Sequence, residues 1–210
     1  MGRHSAVVIV LQSGPEHRQL HALVLSTGVV ALAEIGDKTQ LLAFLLAVRL
    51  RRPLPIACGI LVATLANHAV AAALGVWLTA LVAPTTLRWM LGLSFIAMAL
   101  WTLLPDKLEA QDARIGDGGV FVTTLVAFFL AEMGDKTQFA TMALAARFDA
   151  VVAVVVGTTF GMMLANLPAV YCGERLATHM PVRLVHMIAA GVFALLGGAT
   201  LLGAGARLGF

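Results

Sequence analysis

Residues 54–83 contain no Asp, Glu, Lys or Arg, and neither do residues 89–104, 150–173 or 184–206. Runs of this kind constrain the chain more than any other feature, because about 20 apolar residues in helical form cross the hydrocarbon of a bilayer. Two further stretches, about 20–48 and 118–146, have spanning length but are interrupted by charge. In hydrocarbon the backbone must satisfy its own hydrogen bonds within each segment. The reading is therefore an all-α membrane protein with six transmembrane helices, one of them taking in Thr85–Leu87 with Arg88 free to snorkel.

Composition agrees: 60% of residues are hydrophobic and 12% charged, with a mean hydropathy of +0.93, which argues against a soluble globule. The net charge of +3 does not point to nucleic acid, since the basic residues lie singly or in one short cluster between apolar runs. Cys58 and Cys172 fall in or beside apolar segments, where they are expected to pack as small hydrophobes.

An internal repeat organises the chain. Ala33-Glu34-Ile35-Gly36-Asp37-Lys38-Thr39-Gln40 recurs as Ala131-Glu132-Met133-Gly134-Asp135-Lys136-Thr137-Gln138, 98 positions later. Phe95 and Phe193 keep the same shift. Residues 1–18 are expected to form a non-spanning tail, 19–104 a first three-helix repeat, 105–118 a polar linker and 119–210 a second three-helix repeat. Three helices per repeat force the second copy to cross in the opposite sense, an inverted 3+3 repeat of the kind found in secondary transporters. The loops after helices one, three and five hold seven Lys and Arg, including the cluster Arg49, Arg51 and Arg52, against five on the other face. That bias places both termini on the outer side.

Every Asp, Glu and Lys within the expected spans belongs to the two motifs. Each such charge costs about 2.5–3.5 kcal/mol on insertion scales, on the order of 15–20 kcal/mol for six left unpaired. Packing alone does not account for keeping them. On one continuous helix, at about 100° per residue, Glu34, Asp37, Lys38 and Gln40 share a face and Thr39 points elsewhere. Alternatively the helix loosens at Gly36, or Gly36 and Gly134 serve close packing. Inverted repeats bring corresponding helices together near the midplane, so Glu34, Asp37, Glu132 and Asp135 are expected to share one space as metal ligands.

Four carboxylates against two ammonium groups leave a formal charge of −2, which one divalent cation neutralises. Carboxylates, amides and hydroxyls favour a hard ion such as Mn²⁺, Ca²⁺ or Mg²⁺. Once the ion leaves, the crowded carboxylates repel one another, which makes protons the natural counter-substrate. Lys38 and Lys136 would serve as internal countercations, with Thr39, Gln40, Thr137 and Gln138 in support. Asn67 and Asn166, near the centres of helices two and five, read either as supporting ligands or as helix-to-helix hydrogen bonds. Met133 reads as packing before it reads as a soft ligand. His68 reads as a packing residue before a proton relay, and His186, near a helix end, is given no role.

Paired Glu-x-Gly-Asp-Lys-Thr motifs on the first helix of each half resemble uncharacterised protein family 0016, which includes bacterial manganese exporters and Golgi and chloroplast manganese or calcium transporters. The likeness covers the chain after residue 18. It implies a cation exchanger of the calcium/cation antiporter and lysine exporter superfamily, binding its ion through Glu34, Asp37, Glu132 and Asp135. The expected function is export of Mn²⁺ across a bacterial inner membrane in exchange for protons, with no resident cofactor and no nucleic acid. A Ca²⁺/H⁺ exchanger or passive cation pathway is the alternative within transport, a membrane scaffold or intramembrane enzyme outside it.

Overall fold

A computed structural model describes residues 15–104, 119–148, 150–172 and 182–203. Among these, all regular structure is helical: α1 (Pro15–Glu34), α2 (Lys38–Leu50), α3 (Pro53–Leu81), α4 (Pro84–Thr102), α5 (Gly119–Glu132), α6 (Lys136–Phe148), α7 (Val151–Cys172) and α8 (Val182–Leu201). The linker 105–118 and most of the N-terminal tail lie outside the described residues.

The repeat in sequence is a repeat of elements. Helices α2, α3 and α4 start at 38, 53 and 84, and α6, α7 and α8 start at 136, 151 and 182, each 98 positions later. Proline opens α3 and α4, where its missing N–H removes a donor that the first helical turn leaves unpaired anyway. Among the described residues, α3, α7 and α8 are each long and apolar enough to cross a membrane, and α1 with α2 makes a fourth such unit bent by 72°. Pro84, Thr85, Thr86 and Arg88 dilute the apolar character of α4, and α5 stops after 14 residues at Glu132.

Packing between the repeats is reciprocal. Helix α1 lies on α7, α5 lies on α3, and α4 lies on α8. A Cβ at Gly59 would fall 2.9 Å from the Phe121 carbonyl, and one at Gly157 would fall 2.5 Å from the Leu23 carbonyl. Both members of the second pair stand 98 positions from those of the first. In lipid, helices gain no hydrophobic stabilisation from meeting, so such close backbone approach through small residues supplies the attraction. The repeat-related Phe95 and Phe193 stack with ring centroids 6.4 Å apart. Trp77, Leu100, Phe160, Val152 and Leu195 face outward, an apolar exterior suited to acyl chains rather than water. Cys58 and Cys172 are unpaired and exposed on that exterior.

Candidate functional site

Both motifs break their helix. Gly36 has φ +82° and Gly134 φ +78°, a region glycine enters without the Cβ clash that bars other residues. Helix α1 ends at Glu34 and α5 at Glu132, while α2 and α6 begin at Lys38 and Lys136. The continuous-helix face expected for Glu34, Asp37, Lys38 and Gln40 therefore does not exist, and the looser alternative at Gly36 does. The glutamines explain how the break is tolerated. Gln40 Oε1 accepts the Gly36 N–H at 2.9 Å, and Gln138 Oε1 accepts the Gly134 N–H at 2.8 Å. Gln40 Nε2 also donates to the Ala165 carbonyl of α7 at 2.8 Å. Each glutamine thus serves the turn rather than the acidic cluster.

Placement at the break sets charge against local helix stability. A glutamate on the last residue of a helix meets the negative end of the dipole, and a lysine on the first meets the positive end. Both copies make both unfavourable choices, which marks the residues as kept for something other than their own helices.

Tertiary packing brings the two breaks together. Lys136 Nζ lies 2.9 Å from Asp37 Oδ1 with both side chains fully buried, and Lys38 Nζ lies 3.4 Å from Asp135 Oδ1 with Lys38 23% exposed. Each lysine thus pairs with the aspartate of the other repeat. The glutamates are left without a cation of their own. One carboxylate oxygen from each of Glu34, Glu132 and Asp135 lies within 4.8 Å of the other two, and all three residues are buried. Oxygens on opposite sides of a cation at about 2.3 Å stand about 4.6 Å apart, so the spacing suits a hard ion. Among the described residues, neither oxygen of Glu34 has a hydrogen-bond partner, nor does Glu132 Oε1. Glu132 Oε2 accepts from Thr137 Oγ1 at 2.9 Å, and Asp135 Oδ2 accepts from the same hydroxyl at 3.4 Å.

The supporting residues divide unevenly. Thr137 joins the cluster, whereas buried Thr39 Oγ1 has no partner among the described residues. Asn67 Nδ2 donates to the Phe129 carbonyl at 3.1 Å, the helix-to-helix bond. Asn166 Nδ2 turns back to its own helix, 3.1 Å from the Met162 carbonyl, and leaves Oδ1 buried and unpartnered. Met133 is 57% exposed, so it neither packs in the core nor enters the buried cluster. His68 is fully buried with neither ring nitrogen partnered among the described residues.

The duplication has a counterpart among known families. The family described as "Divalent cation/proton antiporter GDT1" matches the chain twice, over residues 22–110 and 120–207. This chain belongs to the GDT1 family. It is a cation transporter of the multi-pass membrane class, not an enzyme. A Vibrio cholerae protein named "Putative manganese exporter" is 49% identical over 192 residues, covering 91% of this chain and 96% of that one. "GDT1-like protein 3" of Oryza sativa subsp. indica is 28% identical over 82% of this chain and 70% of its own length. The Arabidopsis thaliana protein of the same name is 27% identical over 82% and 67%. No solved structure matches the chain.

One contact in this GDT1 chain had no signal in its sequence. His186 Nε2 of α8 lies 2.9 Å from the Ile35 carbonyl in the first break. A carbonyl only accepts, so Nε2 carries the proton. Val182 of the same helix sits over Gly36, and a Cβ there would clash with it, whereas nothing lies within 4 Å of a Cβ at Gly134. The left-handed backbone alone penalises alanine by about 1–2 kcal/mol. Gly134→Ala is expected to lower thermal stability in detergent by that amount, and Gly36→Ala by more, with partial recovery when Val182→Ala is added. Equal effects at the two glycines would contradict the unequal cover.

Proposed function

We propose that this protein exports Mn²⁺ across a bacterial inner membrane in exchange for protons, at one site shared by two inverted three-helix repeats. The observation that carries the reading is the Glu34 carboxylate: buried, without a hydrogen-bond partner among the described residues, and gathered with Glu132 and Asp135. An uncompensated buried carboxylate is destabilising unless something cationic visits it. On this reading the ion is held by Glu34, Glu132 and Asp135, with Asp37 close by and held to Lys136. The all-oxygen donor set suits a hard divalent ion, and the name of the Vibrio cholerae relative favours manganese among these. When Mn²⁺ departs, protons take its place on the glutamates.

Residues 19–104 and 119–210 are then the two repeats, joined by the linker 105–118 and preceded by the tail 1–18. Each broken pair counts as one span, giving six in all, with the termini on the periplasmic side. The reciprocal packing of α1 on α7 and α5 on α3 supports a two-fold axis between the repeats. The unequal cover of the two breaks fits a carrier held in one of two exchanging states. Gly36 is roofed by Val182 and His186, while Gly134 is exposed and Lys38 beside Asp135 is reachable.

The test is flux into proteoliposomes with an imposed pH gradient. Mn²⁺ should run against the proton gradient and reverse when the gradient is reversed. Flux indifferent to pH would remove the proton coupling, and Ca²⁺ outcompeting Mn²⁺ at equal concentration would reassign the cargo.

A further inference from the structure

The geometry points to a binding site for the phosphate group of an anionic phospholipid between the ends of α4, α6 and α8, apart from the acidic centre. A cavity of about 340 Å³ opens there, lined by Pro84, Arg88, Ala146, Arg147, Thr200 and Gly203 among others. Two guanidinium groups bring ten N–H donors to its wall. Among the described residues neither makes a hydrogen bond or an ion pair. Arg147 is half-buried. Arginines near helix C-termini often cap the last carbonyls, but no such bond from Arg88 or Arg147 forms among the described residues. Pro84 opens α4, so the positive end of that helix borders the same space. All of these features call for an anion.

The cavity does not suit the transported cation, because two guanidiniums repel a divalent ion at any approach. The surroundings of the cavity favour a lipid over a free anion. Large apolar side chains next to its lining residues in sequence, Trp89 and Leu202, are exposed on the exterior of the molecule. A basic cavity at the helix ends beside such a surface fits a ligand with a phosphate in the cavity and acyl chains along the outside. Arginine forks bind phosphate oxygens two at a time, and basic pockets between membrane helices are suited to anionic headgroups. The ligand class is thus an anionic glycerophospholipid such as phosphatidylglycerol. This site requires only that the chain reside in a membrane and is independent of which cation it carries.

The full chain, purified in detergent, is to be given phosphatidylglycerol, phosphatidylcholine or inorganic phosphate, and followed by native mass spectrometry and thermal unfolding. Phosphatidylglycerol should be retained in preference to phosphatidylcholine and should raise the melting temperature, while inorganic phosphate should not. Arg88→Gln and Arg147→Gln should each weaken that retention by about tenfold, the factor for one charge-assisted contact, without changing the melting temperature in phosphatidylcholine. If either glutamine variant fails to fold, Arg88→Lys with Arg147→Lys keeps the charge and loses the forks, and should still reduce retention. Wild-type protein that shows no preference between the two lipids would overturn the proposal. So would inorganic phosphate matching the stabilisation by phosphatidylglycerol, or arginine variants that retain the lipid fully.

Discussion

Replacing Glu34 by glutamine is expected to abolish Mn²⁺ transport while leaving the protein as stable as before or more so. The two effects have one cause. Glu34 is fully buried, and both of its carboxylate oxygens lack a hydrogen-bond partner among the described residues. An isosteric amide removes the buried charge and can donate to the neighbouring Glu132 carboxylate, so the fold loses nothing and sheds an unsatisfied group worth about 1–3 kcal/mol. The cation, in contrast, loses a charged ligand. Even groups that only support metal ligands change affinity or activity by about 10–100-fold when removed, so the flux should fall by about 100-fold or more. Thermal unfolding in detergent and Mn²⁺ uptake into proteoliposomes measure the two sides. A protein in which the acidic centre merely locks the repeats together would show wild-type manganese tolerance in cells with Glu34→Gln. Asp135→Asn should reduce transport in the same way, and equal protection of a manganese-sensitive strain by wild type and Asp135→Asn would remove Asp135 from the mechanism.

Lys136→Met should produce the largest loss of stability of any motif substitution, about 3–5 kcal/mol, because it takes the fully buried ammonium away from a fully buried carboxylate. Lys136 and Asp37 are both fully buried and 2.9 Å apart. The repeat-related Lys38→Met should cost less, since Lys38 is partly exposed and stands 3.4 Å from Asp135, and Asp135 keeps the Thr137 hydroxyl as a donor. Adding Asp37→Asn to Lys136→Met should recover most of the loss. Denaturation of the four proteins in the same detergent is the measurement. Equal costs at Lys38 and Lys136 would show that the two halves of the centre are equivalent, contrary to the difference in their burial.

How much of this was legible in the sequence follows from which forces are local. The charge-free runs dictated an all-helical membrane protein because hydrocarbon admits few other backbones. The duplicated motif announced two related halves, and the 98-residue shift recurs in the starts of α2, α3 and α4. The repeat led us to expect Glu34, Asp37, Glu132 and Asp135 in one space; the structure gathers one oxygen each of Glu34, Glu132 and Asp135 and pairs Asp37 with Lys136. The break at Gly36 was one of two readings, since glycine permits a left-handed turn without demanding it. That the glutamines close the turn became visible only with the backbone in place, because a side chain four residues away reaches the Gly36 N–H only once the helix has already opened there.

The sequence by itself determined the solvent, the helical class, the duplication and the identity of every buried charge, because these depend on residue type and order along the chain. Only the tertiary structure decided how the charges are shared. Lysines 38 and 136 reach across to the aspartate of the opposite repeat, so that among the described residues neither glutamate has an ion pair. His186 and Val182 cover one break while the other stays open. Both outcomes turn on distances between segments about 100 residues apart. A repeat in sequence makes its two copies chemically alike, and only packing can give identical motifs different surroundings.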